Sequence, residues 1–219
     1  MAINTINNNS GELTINPGAS GDSFIQFDIN GTGEFRIGVD DTDDSFRISQ
    51  GSALGTNDTF VMSSAGECTM PLQPAFLAYN STDDTNVTGD ATLYQCEFDT
   101  EIFDQNDDYD NTTDTFIAPI TGRYLLYAQV GVLGIVSDHG GGYLRINTSN
   151  MDYLVNACDP YATMYQTAGD QLAMKYFCLV DMDASDTAIV NLSIDGTSKV
   201  ADVDGAATVA TRFCGYLAV

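Results

Sequence analysis

The acidic side chains of this 219-residue chain are almost all aspartate: Asp outnumbers Glu 26 to 5, and Lys occurs only twice. That imbalance bears directly on secondary structure. Asp and Asn bond to the nearby backbone, compete with helix and favour turns, whereas Glu and Lys are the surface residues that helices prefer. The chain is therefore expected to be all β. A hydrophobic content of 43%, with 11 Phe and 11 Tyr, is enough to bury a core, in one large β domain or two smaller ones.

The 31 acids face only 7 bases, for a formal net charge of −24. A nucleic-acid binder neutralises phosphates with Lys and Arg, and a polybasic membrane-surface protein needs the same residues, so neither partner is expected. No stretch approaches the roughly 18 consecutive apolar residues of a membrane span. The start, MAINTINNNSG, has neither the basic nor the apolar region of a signal peptide, and the chain reads as soluble and made in a cytoplasm. Five Cys, at 68, 96, 158, 178 and 214, form no CxxC pair. Most sit in apolar runs such as Phe177-Cys178-Leu179, and they are expected to be reduced, buried thiols.

Charge divides the chain into three parts: −8 over residues 1–72, −11 over 73–114, where eleven acids meet no base, and −5 over 115–219. The first part reads as short strands at 24–29, 34–39, 45–49 and 59–62 with Asn30-Gly31 and Asp40-Asp41-Thr42-Asp43-Asp44 as turns. So thin a module has few large side chains for a closed core and is expected to be stabilised by copies of itself or by another protein. Two prolines in Pro71-Leu72-Gln73-Pro74 mark a boundary, giving an N-terminal β module at 1–72 and a second domain at 73–219. Strands are expected there at 75–79, 91–98, 116–118, 123–133, 142–147, 153–157, 171–180, 187–194 and 207–219, the pattern of a sandwich or jelly roll. In Tyr124-Leu125-Leu126-Tyr127-Ala128-Gln129-Val130 both faces are largely apolar. A strand of that kind is expected to be covered twice, by its own core and by another subunit.

The residues Phe98, Asp104, Tyr109, Phe116, Gly122 and Tyr124 keep a spacing that resembles the signature of the globular head of complement component one-q. The string from Gly122 through Val130 is similar to the central strand of the tumour-necrosis-factor branch of the same jelly roll, and Phe213-Cys214-Gly215-Tyr216-Leu217 to the last strand of the family. The resemblance covers residues 75–219. It implies a ten-stranded jelly-roll sandwich that forms a homotrimer, with Leu125, Tyr127 and Tyr216 at the trimer interface. It places Phe98, Tyr109, Phe116, Gly122, Tyr124 and Phe213 in the structural core. The stretch from Gly21 through Ser49 to Asp58 resembles the small β modules of bacteriophage fibre and virion-surface proteins.

Catalytic chemistry finds little support. The one His, in Ser137-Asp138-His139-Gly140, has an Asp and a Ser as neighbours, but three following glycines mark a turn, and the ring is expected to be solvated in a loop. One His and scattered Cys give no zinc spacing. Carboxylate pairs abound, as in any Asp-rich chain, but a glycosidase cleft normally adds aromatic platforms and there is no Trp. The chain is read as not an enzyme. Calcium is the one cofactor considered, because Asp40, Asp41, Asp43 and Asp44, and Asp107, Asp108 and Asp110, offer hard oxygen ligands in loops. Neither loop has the EF-hand pattern, and the eleven acids of 73–114 are expected to point to water on the outside of the trimer.

These readings converge on a structural virion protein: a homotrimeric capsid decoration or cement protein, a knob on the capsid surface that contacts the major capsid protein and stabilises the phage head. The alternative is a receptor-binding tip of a tail or head fibre, contacting a host receptor or glycan, with Tyr109, Tyr161 and Tyr165 as its aromatic loop residues.

Overall fold

The structure, a computed structural model, describes residues 15, 17, 20–31, 34–158 and 172–219, without the side chains of 156–158. Tyr161, Tyr165 and residues 1–14 lie outside the described residues. The chain divides into two compact units, Met1–Leu72 and Gln73–Val219. All regular structure among the described residues is β.

The first unit is one antiparallel sheet, β1 (Ser23–Asp28), β2 (Glu34–Asp40), β3 (Ser45–Gln50), β4 (Asp58–Met62) and β5 (Cys68–Thr69), paired in sequence order. Its turns use the residues that tolerate a left-handed backbone, Asn30 and Gly31 (φ 52° and 72°) and Asp44 (φ 58°). Register then sorts the side chains. Ile25, Ile37, Ile48 and Phe60 form one row, Phe27 lies beside Phe35, and Val39 lies beside Phe46 and Met62, all on one face. The other face is polar. At its centre the Arg47 guanidinium meets Asp40 at 3.3 Å, Asp43 at 2.6 Å and Asp58, while Arg36 stacks on Phe24 at 4.3 Å.

The second unit carries β6 (Ala75–Tyr79), β7 (Asp84–Thr88), β8 (Tyr94–Gln95), β9 (Thr100–Asp104), β10 (Tyr109–Asp110), β11 (Thr115–Ile117), β12 (Gly122–Leu133), β13 (Gly141–Thr148), β14 (Asp152–Cys158), β15 (Leu172–Met182), β16 (Thr187–Asp195), β17 (Ala201–Val203) and β18 (Arg212–Leu217). Ten of these make a jelly roll: one sheet runs β9-β6-β18-β12-β15 and the other β10-β11-β16-β13-β14. From β11 onward the chain passes between the sheets at almost every connection. The short strands β7, β8 and β17 extend the edges and ends.

The core lies between the two sheets. Tyr124, Leu126, Ala128, Val130 and Val132 are the inward side chains of β12, and all are fully buried. Phe76 anchors an aromatic cluster, stacked on Tyr109 and Phe116 at 5.0 and 4.9 Å and meeting Phe213 edge-on at 5.0 Å. Phe98, Tyr109, Phe116, Tyr124 and Phe213 are thus all core residues. Gly122 opens β12 where a Cβ would stand 2.7 Å from the Leu217 side chain.

Several expectations are corrected. The strand expected at 91–98 shrinks to β8, because Ala91 N–H and Cys96 N–H reach β16 carbonyls from an otherwise irregular edge. The strand expected at 207–219 begins only at Arg212, after a turn with Val209 at φ 59°. Cys68 is exposed rather than buried; Cys96 and Cys178 are buried and Cys214 half-buried, all four as free thiols. The acids of 73–114 do not all point to water. Asp104, Asp108 and Asp114 are half-buried, Asp104 accepting the Tyr109 N–H at 2.7 Å and Asp114 the Phe98 N–H at 2.6 Å.

Candidate functional site

The two jelly-roll sheets differ on their outward faces. On the β10-β11-β16-β13-β14 sheet, Arg145 lies outward, bonded to Asp152 at 2.8 Å and to Asn191 at 3.2 Å, with Tyr143 and Asn147 on the same face of β13. Leu154 and Ile117 are exposed on this face as well, but scattered among the polar groups rather than in continuous rows. The β9-β6-β18-β12-β15 sheet has no such finish.

Its outward residues follow from register. Leu125 of β12 stands between Leu179 of β15 and Tyr216 of β18, and Tyr216 in turn is opposite Ala75 of β6. One pair further along, Tyr127 stands between Phe177 and Cys214, Cys214 is opposite Leu77, and Leu77 is opposite Phe103. Two continuous apolar rows therefore cross the sheet. Phe177 is 71% exposed, Leu179 56% and Tyr216 50%. Between the rows and β9 lies a shallow concavity of about 210 Å³, lined by Leu77, Phe103, Leu125, Tyr127 and Tyr216. Polar groups frame one end: Arg212 lies over the Tyr127 ring at 5.7 Å and bonds Gln129 at 3.3 Å, and the Tyr127 hydroxyl donates to Gln129 Oε1 at 3.0 Å.

All three interface residues named from sequence, Leu125, Tyr127 and Tyr216, lie on this face. Leu77, Phe103, Phe177 and Leu179 were missed. For β15 the signal was present, since Tyr176-Phe177-Cys178-Leu179-Val180 is apolar on both alternations, as β12 is. For Phe103 it was not, because β9 is short and its partner depends on a bulge between Leu77 and Ala78.

The histidine expected in a solvated loop is instead fully buried. Its Nδ1 accepts the Val136 N–H at 3.2 Å and its Nε2 is 2.9 Å from the Ser198 carbonyl oxygen, so the ring is a neutral Nε2–H tautomer. Neighbouring Asp138 turns away and accepts from the Thr197 N–H and hydroxyl, which hold its carboxyl down at about 2. With both ring nitrogens engaged by backbone, His139 has no lone pair to activate a nucleophile.

The aspartate turns divide likewise. Asp40 and Asp43 are engaged by Arg47, and Asp44 occupies the left-handed turn position. Asp40 and Asp41 do lie with Asp22 so that one carboxylate oxygen of each falls within 4.8 Å of the others. Backbone N–H groups already fill part of that acceptor capacity, Gly21 donating to Asp41 at 2.6 Å and Asp41 to Asp22 at 3.1 Å. Asp107, Asp108 and Asp110 line a separate concavity of about 270 Å³ with Glu101. Burial, then Asp104 and Asp107, push Asp108 up to about 6.

No family model and no curated protein matches the chain. Solved structures do resemble about two thirds of the chain. The globular domain of zebrafish complement 1qA protein is similar at 17% identity and a TM-score of 0.44, over 67% of this chain and 98% of that one. Murine APRIL gives 11% and 0.46, over 66% and 98%. The vertex protein P5 of PRD1 gives 12% and 0.46, over 66% and 96%.

Proposed function

We propose that the protein is a non-catalytic structural protein that works as a homotrimer, held by the apolar face of the β9-β6-β18-β12-β15 sheet, and that it decorates a phage capsid. One observation carries the self-association. A sheet whose outward face presents Phe177, Leu179 and Tyr216 at 50–71% exposed in continuous apolar rows, beside a sister sheet whose outward face centres on Arg145 and its polar partners, is built to be covered. Removing that much aromatic and aliphatic surface from water is the main favourable term in association. The number three and the location on a virion come from the sequence resemblances of residues 75–219 and 21–58. A trimer at the meeting point of three capsid subunits adds contacts that must break before the shell opens, and bound copies stabilise the shell by mass action.

Light scattering on the full chain tests the first half. The expected mass is three chains for the wild type and one chain for Leu125→Asp with Tyr216→Asp, with β-sheet circular dichroism unchanged. A double variant that stays trimeric with an unchanged melting temperature would reject this face. Decoration is tested by mixing the protein with empty capsids: removal of residues 1–20 is expected to abolish binding while leaving the trimer intact, and truncated protein that still binds rules out residues 1–20 as the attachment point.

A further inference from the structure

Resting on the trimeric reading above, we propose a second self-association site: the five-stranded sheets of three copies pack their apolar faces against one another as the sides of one common core. A lone sheet with one apolar face needs a second layer, and within residues 1–72 no other strand supplies it among the described residues. Phe27 is 59% exposed and Phe35 46%, in the same surface as Ile25, Ile37, Phe46 and Phe60.

The charges identify the occupant. Every acid on β1 to β4, namely Asp28, Glu34, Asp40 and Asp58, stands on the opposite face with Arg36 and Arg47. In a chain of net charge −24, this face carries none. An identical face can therefore meet it without desolvating a carboxylate, whereas like charges brought together there would oppose assembly. The chain's own first residues are a poorer match in composition, since 1–14 contain only Ile3, Ile6 and Leu13 as large branched apolar side chains.

A short linker joins the sheet to the second unit in the chain. Only residues 70–74 separate Thr69 of β5 from Ala75 of β6, and Ala75 pairs with Tyr216 in the apolar face described above. The six steps from Thr69 to Ala75 span at most about 22 Å. Head trimerisation thus converts sheet assembly into an intramolecular step, at the roughly millimolar effective concentration of short linkers.

The test uses full-length protein with p-benzoylphenylalanine in place of Phe35, and separately in place of Phe27. Irradiation followed by mass spectrometry is expected to yield cross-links between chains, both ends within residues 23–62. Cross-links to residues 73–219 of the same chain overturn the proposal by showing that the head covers the face. A species of three chain masses with no cross-link at either position overturns it too. The two sites separate through Leu125→Asp with Tyr216→Asp: if that variant remains trimeric and cross-linked, the head interface fails while the sheet core stands. Wild-type protein of one chain mass removes both.

Discussion

Arg47 holds three carboxylates at once, and two of them, Asp40 and Asp58, have side chains only 8% exposed. Removing the guanidinium leaves both acids with little water and no counter-charge. Arg47→Ala is expected to destabilise the five-stranded sheet by about 3–5 kcal/mol, the usual consequence of breaking a buried pair from one side. Arg47→Lys keeps the charge but not the planar fork, and should fall between. Urea titration read by amide exchange in β2 to β4 checks this; a loss under about 0.5 kcal/mol, typical of surface pairs, would refute the central role. Legibility at this scale depends on sequence distance. Asp43 lies four residues from Arg47, but Asp58 arrives from across a loop. His139 shows the extreme case. Gly89 and Gly196 close over its ring so tightly that a Cβ would stand 2.8 Å from Nε2 or 2.7 Å from Cδ2, and Ser198 lies 59 residues away. Nothing beside His139 in the sequence announces those partners, and so its burial was unreadable.

Strands were legible where runs of aromatic and branched residues stood between turn signals. β2, β3, β12, β13 and β16 fall within a residue or two of their expected bounds. β7 reads Asp84-Thr85-Asn86-Val87-Thr88, with one apolar residue and Asn86 at φ 55°, and it exists only because β17 offers it backbone partners. The connection from β9 to β11 is instead organised by carboxylates, and this has a measurable consequence. Burial raises Asp114 to about 6 against the pull of the Phe98 N–H, and Asp108 is likewise raised to about 6. Both values lie above the ordinary 3.8. The folded head then binds more protons than the unfolded chain between about pH 4 and 6, so stability rises as pH falls from 7 through 6 and the gain is complete below about 4. Asp138, held at about 2, acts oppositely and costs stability only below its ordinary 3.8. Melting temperature is therefore expected to be higher at pH 5 than at pH 7.5. Asp114→Asn keeps an acceptor for the Phe98 N–H, and should raise the pH 7.5 value and flatten the profile. A wild-type head that melts lower at pH 5 than at pH 7.5 contradicts the assignment.

For the whole molecule, the −24 charge sets repulsion against two apolar faces. Among the described residues the ion pairs are few and local: three involve Arg47, one joins Arg145 to Asp152, and one joins Arg123 to Asp181 across exposed side chains. Most of the described acids lie in none of these pairs, and the proposed assembly of three chains brings three such surfaces together. Repulsion between exposed charges reaches about 30 Å at 0.01 M salt but only about 3 Å at 1 M, whereas burial of Phe177, Leu179 and Tyr216 is not screened at all. Added NaCl should then raise the melting temperature and tighten the assembly together. If the proposed trimer holds, unfolding releases three chains, and the melting temperature should also rise with protein concentration. Differential scanning calorimetry over a hundredfold concentration range at two salt levels measures both effects. A melting temperature independent of concentration means that the apolar faces do not hold chains together. One that falls with salt means that the few ion pairs outweigh the repulsion, and that the Arg47 network rather than surface charge governs the response.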